Sequence, residues 1–581
     1  MKTRASVGAA TLGVVAAMFF ASFTTAQINI ESVRSTNSNS QLRFDVTGGG
    51  GPFVIQRANL PNDPWCSIAT FPQRSNIVVG VDGPHAFFRV RDLSNAPATR
   101  LTVSLSGAAA GTASAGDGFG TFEVITNTLK FDIAYRGLSS GTMIAHIHGS
   151  ADTANSTGVI IDFGPFFITG LFTNNGRIAG SVPLTDANKA AILGGLSYVN
   201  IHTTNFAGGE IRGQITPTTF RVVLSGAGER PNTTVTPAYG LGMLTLIGNQ
   251  LTYHVNYQGL NSTGIAAHIH GAAPMGTTAP VMYHLQTVGG FGITGVLSGR
   301  TNLTPAQIAA IVDGKAYVNI HTTNYPGGEV RGQVLPVLGE SPFAAEMTGI
   351  AENPDVTTPG SGFAACTLQS NVLTVEVMYR NLKSAAIAAH IHGVAAYTTN
   401  NVGILHHITN YHRGLLSTQG VFVGSLQLTP SQITNLYAGD LYVNIHTTNH
   451  PGGEVRGQLC PTILPVSLDG ASAGITTPAT GFGYIGLLGR QFSIGLHYRD
   501  LIQPANNAHL HGPAQPGVSA GTLINLNNAN YFAGGFGTTG FLIGSETITD
   551  TILSHIVDGI TYVNIHSGFA SGGEIRGNVI P

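Results

Sequence analysis

Residues 198–215 read YVNIHTTNFAGGEIRGQI, and this stretch decides the fold because the chain contains it four times. The other copies begin at Tyr317, Tyr442 and Tyr562, and the last has diverged most, to YVNIHSGFASGGEIRGNV. Each copy has apolar residues at alternate positions on both sides of paired glycines, a pattern typical of a β-hairpin. The chain is therefore predicted to be built of repeated β modules.

A second signature lies upstream of each copy and completes the repeat. It reads AHIHG at Ala145, Ala267 and Ala389, and AHLHG at Ala508. The spacing implies a unit of about 120 residues, a normal size for a self-sufficient domain, and we expect four such domains joined like beads on a string. The predicted repeats 1 to 4 span residues 101–217, 218–336, 337–462 and 463–581.

The local patterns predict short strands and one short helix in each repeat. In LKFDIAYRGL, the apolar Leu129, Phe131 and Ile133 alternate with other residues, as in a strand with one buried face. A threonine able to cap a helix precedes each YVNIH segment. These threonines are Thr185, Thr304, Thr429 and Thr549. The predicted fold is all-β, with four tandem Greek-key β-sandwich or barrel modules that contain one short helix each.

Two further segments precede the repeats. Residues 1–26 combine a basic start, an apolar run and small residues before Gln27, and they are predicted to be a signal peptide. The protein is then secreted, extracellular or periplasmic, with no membrane span after the signal is removed. Residues 27–100 alternate apolar and polar positions broken by Gly and Pro, and they are predicted to form a small β module that resembles fibronectin-type-III-like modules.

Composition restricts the classes of partner. Charged residues make up 9% of the chain and the formal net charge is −2, so no basic surface is available for nucleic acid. The 77 glycines favour strands joined by tight turns over helical bundles. Three cysteines are too few for a disulfide scaffold, although Cys366 and Cys460 fall at opposite ends of one repeat and could pair if their strands are adjacent.

Strand alternation places three histidines of each repeat on one face. In YVNIH, Val199 and Ile201 take one face while His202 takes the other, and His146 and His148 lie opposite Ile147. If the Val and Ile side forms the core, the histidines project together on the outside. The candidate metal ligands are His146, His148, His202, His268, His270, His321, His390, His392, His446, His509, His511 and His566.

A glutamate and an arginine after the paired glycines are predicted to share this outer face. Each glutamate could be a fourth ligand or orient a ring, and each arginine could pair with the glutamate or a backbone carbonyl. These residues are Glu210, Arg212, Glu329, Arg331, Glu454, Arg456, Glu574 and Arg576. Histidines without a counterpart in every repeat, such as His284 and His407, are expected to be surface or core residues with no role shared between repeats.

The histidines allow two interpretations. Two imidazoles separated by one residue on a strand, with a third from a neighbouring strand, suit one zinc or copper ion per repeat. The same histidines could instead form a structural hydrogen-bond network with Asn200, Glu210 and Thr203 that needs no ion. Twelve of the 21 histidines occupy these three repeated positions.

The motifs AHIHG and YVNIHTTNxxGGEIRGQ resemble those of the CHRD (chordin-type) domain family, in four tandem copies as in a secreted bacterial-type protein. The resemblance implies an extracellular β-sandwich module, and for bacterial members it implies no established biochemical activity. A looser similarity of layout to copper/zinc superoxide dismutase rests on the His-x-His pair, but no repeat contains the full ligand set of that enzyme.

These observations favour a non-enzymatic exported protein whose modules bind a partner or build a structure. The expected partner is an extracellular protein or polysaccharide. The alternative is a metal-dependent enzyme, with redox chemistry similar to that of superoxide dismutase or with hydrolytic chemistry at the three-histidine sites. The sequence offers no nucleophile elbow, repeated carboxylate pair or phosphate loop.

Overall fold

The computed structural model of the chain describes residues 29–35, 41–47, 50–58, 65–73, 75, 77–80, 87–94, 96–151, 155–168, 172–397, 401–528, 531 and 537–581. The predicted signal peptide lies outside these described residues. Within them, no helix combines the length and apolar character needed to cross a membrane.

The N-terminal module consists of two three-stranded antiparallel sheets, ordered β1-β2-β5 and β4-β3-β6. Their inner faces meet in a small core around Phe44, Phe53 and Phe88. The strands are β1 (Asn29–Ser35), β2 (Gln41–Thr47), β3 (Phe53–Ala58), β4 (Cys66–Phe71), β5 (Ile77–Gly80) and β6 (Phe87–Asp92).

Repeat 1 is one curled antiparallel sheet. Its strands are β7 (Thr99–Ser106), β8 (Asp117–Ile125), β9 (Thr128–Arg136), β10 (Thr142–Gly149), β11 (Val159–Asp162), β12 (Gly176–Pro183), β13 (Ser197–Thr203), β14 (Ile211–Gln214) and β15 (Thr216–Pro217). The sheet order is β11-β10-β13-β14-β7-β8-β9-β12, with β15 paired to β7. A bridge between Phe167, just after β11, and Ile178 on β12 joins the two ends and gives the sheet its barrel-like form.

The other three repeats have the same strand order. Repeat 2 contains β16 (Thr219–Ser225), β17 (Tyr239–Ile247), β18 (Gln250–Gln258), β19 (Gly264–His270), β20 (Val281–His284), β21 (Thr287–Val288), β22 (Gly295–Asn302), β23 (Tyr317–Thr322), β24 (Val330–Gln333) and β25 (Leu335–Pro336). Repeat 3 contains β26 (Ser341–Thr348), β27 (Ser361–Gln369), β28 (Val372–Arg380), β29 (Ala386–His392), β30 (Ile404–His407), β31 (Gly420–Gln427), β32 (Tyr442–Thr447), β33 (Val455–Gln458) and β34 (Cys460–Pro461). Repeat 4 contains β35 (Ile463–Asp469), β36 (Thr480–Leu488), β37 (Gln491–Arg499), β38 (Ala505–His511), β39 (Thr522–Asn525), β40 (Gly540–Thr547), β41 (Thr561–Ser567) and β42 (Ile575–Val579). The predicted all-β fold of four modules is confirmed.

The helices are short, and the one before each YVNIH segment begins where its threonine predicts, while repeats 1 and 4 each contain a further one-turn helix capped by Ser106 or Asp469. Thr185 accepts a hydrogen bond from the amide of Asn188, and Thr304 forms a full capping box with Gln307, which satisfies amides of the first turn. The helices are α1 (Gly107–Ala110), α2 (Asp186–Leu193), α3 (Pro305–Val312), α4 (Pro430–Tyr437), α5 (Gly470–Ala473) and α6 (Asp550–Val557). Single 3₁₀ turns occur at Gly164–Phe166, Gly226–Gly228, Gly349–Ala351 and Thr409–Tyr411.

The four barrels pack against one another, which corrects the expectation of beads on a string. Beyond the core inside each barrel, outward side chains of central strands form two further apolar clusters. One contains Phe119, Ile247 and Tyr484 from repeats 1, 2 and 4, and the other includes Met243 and Phe363 from repeats 2 and 3. The beads expectation failed because both faces of these strands are apolar, so each barrel buries part of its outside.

Cys366 and Cys460 are free thiols, so the possible disulfide between them is not formed. Cys366 pairs with Phe343 and Cys460 with Ala344, which places them on opposite sides of β26. Strands on either side of a third are about 10 Å apart, beyond the reach of a disulfide. Burial also raises the pKa of both thiols to about 12, which keeps them protonated and unreactive.

Candidate metal centre

The two signature segments form neighbouring antiparallel strands in every repeat. In repeat 1, β10 and β13 pair His148 with Tyr198, His146 with Asn200 and Ile144 with His202. All three histidines therefore lie on one side of the sheet, and Ile147 and its neighbours fill the core. One ring nitrogen from each histidine lies within 4.8 Å of the other two in each set of three. The four sets are His146, His148 and His202; His268, His270 and His321; His390, His392 and His446; His509, His511 and His566.

The second histidine of each set has one fixed tautomer. Nδ1 of His148 lies 2.8 Å from the carbonyl oxygen of Thr157, and equivalent contacts of 2.9 to 3.0 Å occur in the other repeats. A carbonyl only accepts, so Nδ1 carries the proton and Nε2 of the neutral ring has a free lone pair. This Nε2 is buried with no hydrogen-bond partner in His148, His270, His392 and His511. A buried lone pair without a partner is costly, and a cation would satisfy it.

The third histidine is oriented in the same way. Nδ1 of His202 donates to the carbonyl of Ala207 over 2.9 Å, and the equivalent distances in the other repeats are 2.9 to 3.0 Å. Its Nε2 faces Nδ1 of the first histidine, His146, at 3.3 Å in repeat 1 and at 3.1, 2.9 and 3.1 Å in repeats 2 to 4. Each site thus presents two Nε2 atoms and one Nδ1 atom towards a common centre.

Burial favours the neutral form of the first and second histidines of each site. Desolvation, followed by the neighbouring imidazoles, lowers the pKa of His268, His390 and His509 to about 4. Desolvation also lowers the pKa of His146 and His148. At neutral pH these two histidines of each site are therefore unprotonated, the form that binds a metal.

A tyrosine stacks on the ring of the second histidine, and an arginine stacks on the same tyrosine, so that the three side chains form a column. The ring of His148 stacks on Tyr198 with centroids 4.8 Å apart and planes 1° apart, and the guanidinium of Arg212 lies 3.5 Å from the centroid of the same tyrosine ring. The column recurs as His270–Tyr317–Arg331, His392–Tyr442–Arg456 and His511–Tyr562–Arg576. Arg212 donates to the carbonyl of Asn155, as the sequence allowed, and its planar cation suits stacking on an aromatic face.

The glutamates are placed differently from the expectation that they touch the imidazoles. Glu210 is fully buried and accepts hydrogen bonds from the hydroxyls of Ser114, Ser139 and Thr203 and from the Ser139 amide. These bonds lower its pKa despite burial. The turn at Gly209, with φ of +117°, ends the strand alternation, and β14 begins only at Ile211. Glu210 therefore joins a hydroxyl cluster separate from the imidazoles.

The histidine clusters are less exposed than alternation on an outer face suggested. His392 is 7% exposed and His446 8%, and several equivalents are similarly covered. Backbone carbonyls from two loops, those of Thr157 and Ala207 in repeat 1, lie against the rings. Loop segments outside the strand pattern thus cover the site, which alternation alone does not predict.

Sequence reasoning named Asn200 as a possible partner of the histidines but missed two other neighbours, His284 and His407. The Oδ1 atom of the central asparagine in YVNIH is buried without a hydrogen-bond partner in Asn200, Asn319, Asn444 and Asn564. His284 and His407, expected to have no role shared between repeats, lie against the first histidine of repeats 2 and 3, with ring centroids 4.6 and 4.8 Å apart. The alternation of Tyr, Asn and His in YVNIH places the asparagine on this face, whereas no pattern shared by all four repeats marks His284 and His407.

The fold and site define a protein of four barrel-like β domains, each with a conserved geometry of three converging histidines. The family model of the CHRD domain matches residues 101–215, 220–334, 343–459 and 464–579, and the chain belongs to this family. Chordin from Danio rerio is 26% identical over 274 residues, which is 44% of this chain and 28% of that protein. Chordin from Xenopus laevis is 25% identical over 288 residues, 46% of this chain and 29% of that protein. The chain thus spans less than a third of the length of these relatives.

Proposed function

We propose that this chain is a non-enzymatic exported protein whose four CHRD domains act as binding or structural units, and that each domain binds one zinc or copper ion through its three histidines. The observation that carries the proposal is the buried, unpartnered Nε2 of His148 and its equivalents beside two further ring nitrogens. The same arrangement in four diverged repeats supports one shared role.

One nitrogen–nitrogen distance in each site is close to that of a metal centre. With zinc–nitrogen bonds of about 2.0 to 2.1 Å in tetrahedral geometry, ligand nitrogens are separated by about 3.4 Å. Nδ1 of His146 and Nε2 of His202 are 3.3 Å apart. Carbonyls hold Nδ1 of His148 and His202, as outer partners usually orient metal-binding imidazoles. Three protein ligands leave a fourth position for water or for a group of a partner.

Copper and zinc both accept imidazole ligands, and this donor set does not distinguish them. Glu210 and its equivalents play no part in binding, because their carboxylates are held by hydroxyls elsewhere. Four sites on one chain support multivalent attachment to an extracellular protein or polysaccharide, where several modest contacts reinforce one another.

Metal analysis of the purified full chain tests the proposal. After expression in medium supplied with zinc and copper, up to one ion per repeat is expected, and His148→Ala is expected to remove one equivalent. His555→Gln, on helix α6, is the matched control and should leave the stoichiometry unchanged. Intact protein that contains neither metal after this preparation would contradict the proposal and favour a purely structural histidine network.

A further inference from the structure

The four sites differ in the residue paired with the first histidine on the edge strand of each barrel. In repeat 1 this pair is His146 with Asp162, and in repeat 4 it is His509 with Asn525. Repeats 2 and 3 have a histidine there, and the pairs are His268 with His284 and His390 with His407. Repeat 1 alone among the four has a carboxylate at this position.

The carboxylate lies on the outer side of the ring. Oδ1 of Asp162 is 4.0 Å from Nε2 of the neutral His146 ring, while Nδ1 of the same ring faces the centre of the site. The amide of Gly164 donates to Oδ1 of Asp162 over 2.8 Å and fixes the carboxylate. Asn525 is held in the same way, since the amide of Asn527 donates to its Oδ1 over 2.8 Å. Repeats 1 and 4 therefore differ at this position in charge and not in backbone arrangement.

The position of the proton on the first histidine links this difference to metal binding. Because the third histidine presents a lone pair, Nδ1 of the first must donate to it in the metal-free site or give up its proton to become a ligand. In the neutral ring that proton then moves to Nε2. A carboxylate beside Nε2 of His146 stabilises that tautomer and increases the basicity of Nδ1. In the metal-free site, Nδ1 of the first histidine and Nε2 of the third are the two nitrogens that a hydrogen bond would join. They are farthest apart in repeat 1, at 3.3 Å against 2.9 to 3.1 Å elsewhere.

We propose that Asp162 makes the site of repeat 1 bind a divalent cation more tightly than the site of repeat 4. This inference rests on the proposed function and deepens it, because it predicts that the chain fills the site of repeat 1 before the site of repeat 4. The carboxylate contributes one negative charge close to the cation and holds His146 in the tautomer that ligates. Its side chain is 58% exposed, so solvent screens part of this charge. We therefore expect the lower end of the range of about 10- to 100-fold typical of residues that orient a ligand.

Full-length chains with one working site test the inference. His270→Ala, His392→Ala and His511→Ala together leave the site of repeat 1, whereas His148→Ala, His270→Ala and His392→Ala leave that of repeat 4. Zinc affinity is measured by competition with a chromophoric chelator, before and after Asp162→Asn in the first chain and Asn525→Asp in the second. Asp162→Asn should weaken binding by about tenfold, and Asn525→Asp should strengthen it. Higher ionic strength should narrow both differences.

Each outcome of the titration is decisive. Opposite shifts in the two reciprocal variants support the inference, because a general loss of folding cannot strengthen binding in repeat 4. Unchanged affinity in both variants, with one zinc ion still bound per chain, overturns the role of Asp162 and leaves the proposed function intact. No zinc binding in either parent chain contradicts the proposed function and this inference together.

Discussion

His148 and Tyr198 stack face to face, with ring centroids 4.8 Å apart and an interplanar angle of 1°. The two residues are paired across neighbouring strands, so the sheet register itself sets the stack. Arg212 covers the other face of the tyrosine. The proposed ligand is therefore held on one side by a carbonyl and on its face by an aromatic ring, which leaves it few alternative orientations before any metal arrives.

The stack should contribute to zinc affinity. Tyr198→Ala removes the surface against which His148 packs, so we expect weaker zinc binding at repeat 1 and a loss of stability of about 3 kcal/mol, typical of truncating a buried aromatic residue. Tyr198→Phe keeps the ring and is the control, with near-normal affinity. Chelator competition and thermal unfolding measure the two effects. Equal affinity in the alanine variant would show that the stack does not orient the ligand.

Metal removal should lower thermal stability. A ligand that binds only the folded state stabilises it by about 2.7 kcal/mol at a concentration 100 times its Kd. We therefore expect EDTA to lower the melting temperature of the wild-type chain in calorimetry, and added zinc to restore it. A chain with all four second histidines replaced by alanine should not respond to either reagent. An identical response in that chain would place the stabilising metal elsewhere.

Glu210 and the histidines should act independently. Glu210→Gln weakens a buried acceptor that holds three hydroxyl side chains, so we expect repeat 1 to lose about 1 to 3 kcal/mol of stability. Zinc stoichiometry should remain unchanged, because the carboxylate lies outside the imidazole cluster. Calorimetry and metal analysis on the same sample separate the two properties. Loss of one zinc equivalent from a folded variant would return Glu210 to the metal site.

A buried carboxyl in repeat 3 predicts a pH dependence of stability. Burial is the main cause that raises the pKa of Glu352 to about 8, against 4.5 for the ordinary side chain, even though Arg456 opposes the shift. Between these values the folded state binds a proton that the unfolded state has released, so stability falls as pH rises from about 4.5 through 8. Glu352→Gln should remove the pH dependence that Glu352 causes. The variant should therefore gain more stability relative to wild type at pH 8 than at pH 5. The equivalent position in repeat 1 is Ala110, and Ala110→Ser is a control that should keep the pH dependence of the wild-type chain. Parallel pH profiles of wild type and Glu352→Gln would contradict the prediction.

The contact between repeats 2 and 3 includes a buried ion pair that can be tested by paired substitutions. Nη1 of Arg221 lies 3.2 Å from Glu376, with side-chain exposures of 3% and 0%. Arg221→Met leaves a buried carboxylate without this partner and should cost about 3 to 5 kcal/mol. Adding Glu376→Leu should recover much of the loss. Calorimetry measures both variants, and limited proteolysis shows whether the repeats separate. No recovery in the double variant would show that Arg221 matters through other contacts.

Much of the fold and part of the site could be predicted from the sequence. Alternation in YVNIH and AHIHG correctly placed His146, His148 and His202 on one face, because strands impose a strict period of two. The prediction that Glu210 lies beside the histidines was wrong because Glu210 lies in a turn, where that period does not apply. The contacts between barrels were not predicted, for a different reason. Phe119 fits its strand equally well whether its outer face meets water or another barrel, and only the assembled structure distinguishes the two.

The packing of the four barrels has a consequence for how the chain could recognise a repetitive partner. Flexible beads would let each site search independently, with linker length setting the effective concentration. Here the outward clusters around Phe119 and Met243 join the barrels directly. The separations between the histidine sites are then set by the contacts between barrels. Under the proposed function, these fixed separations would favour a partner whose binding groups are spaced by the same distances.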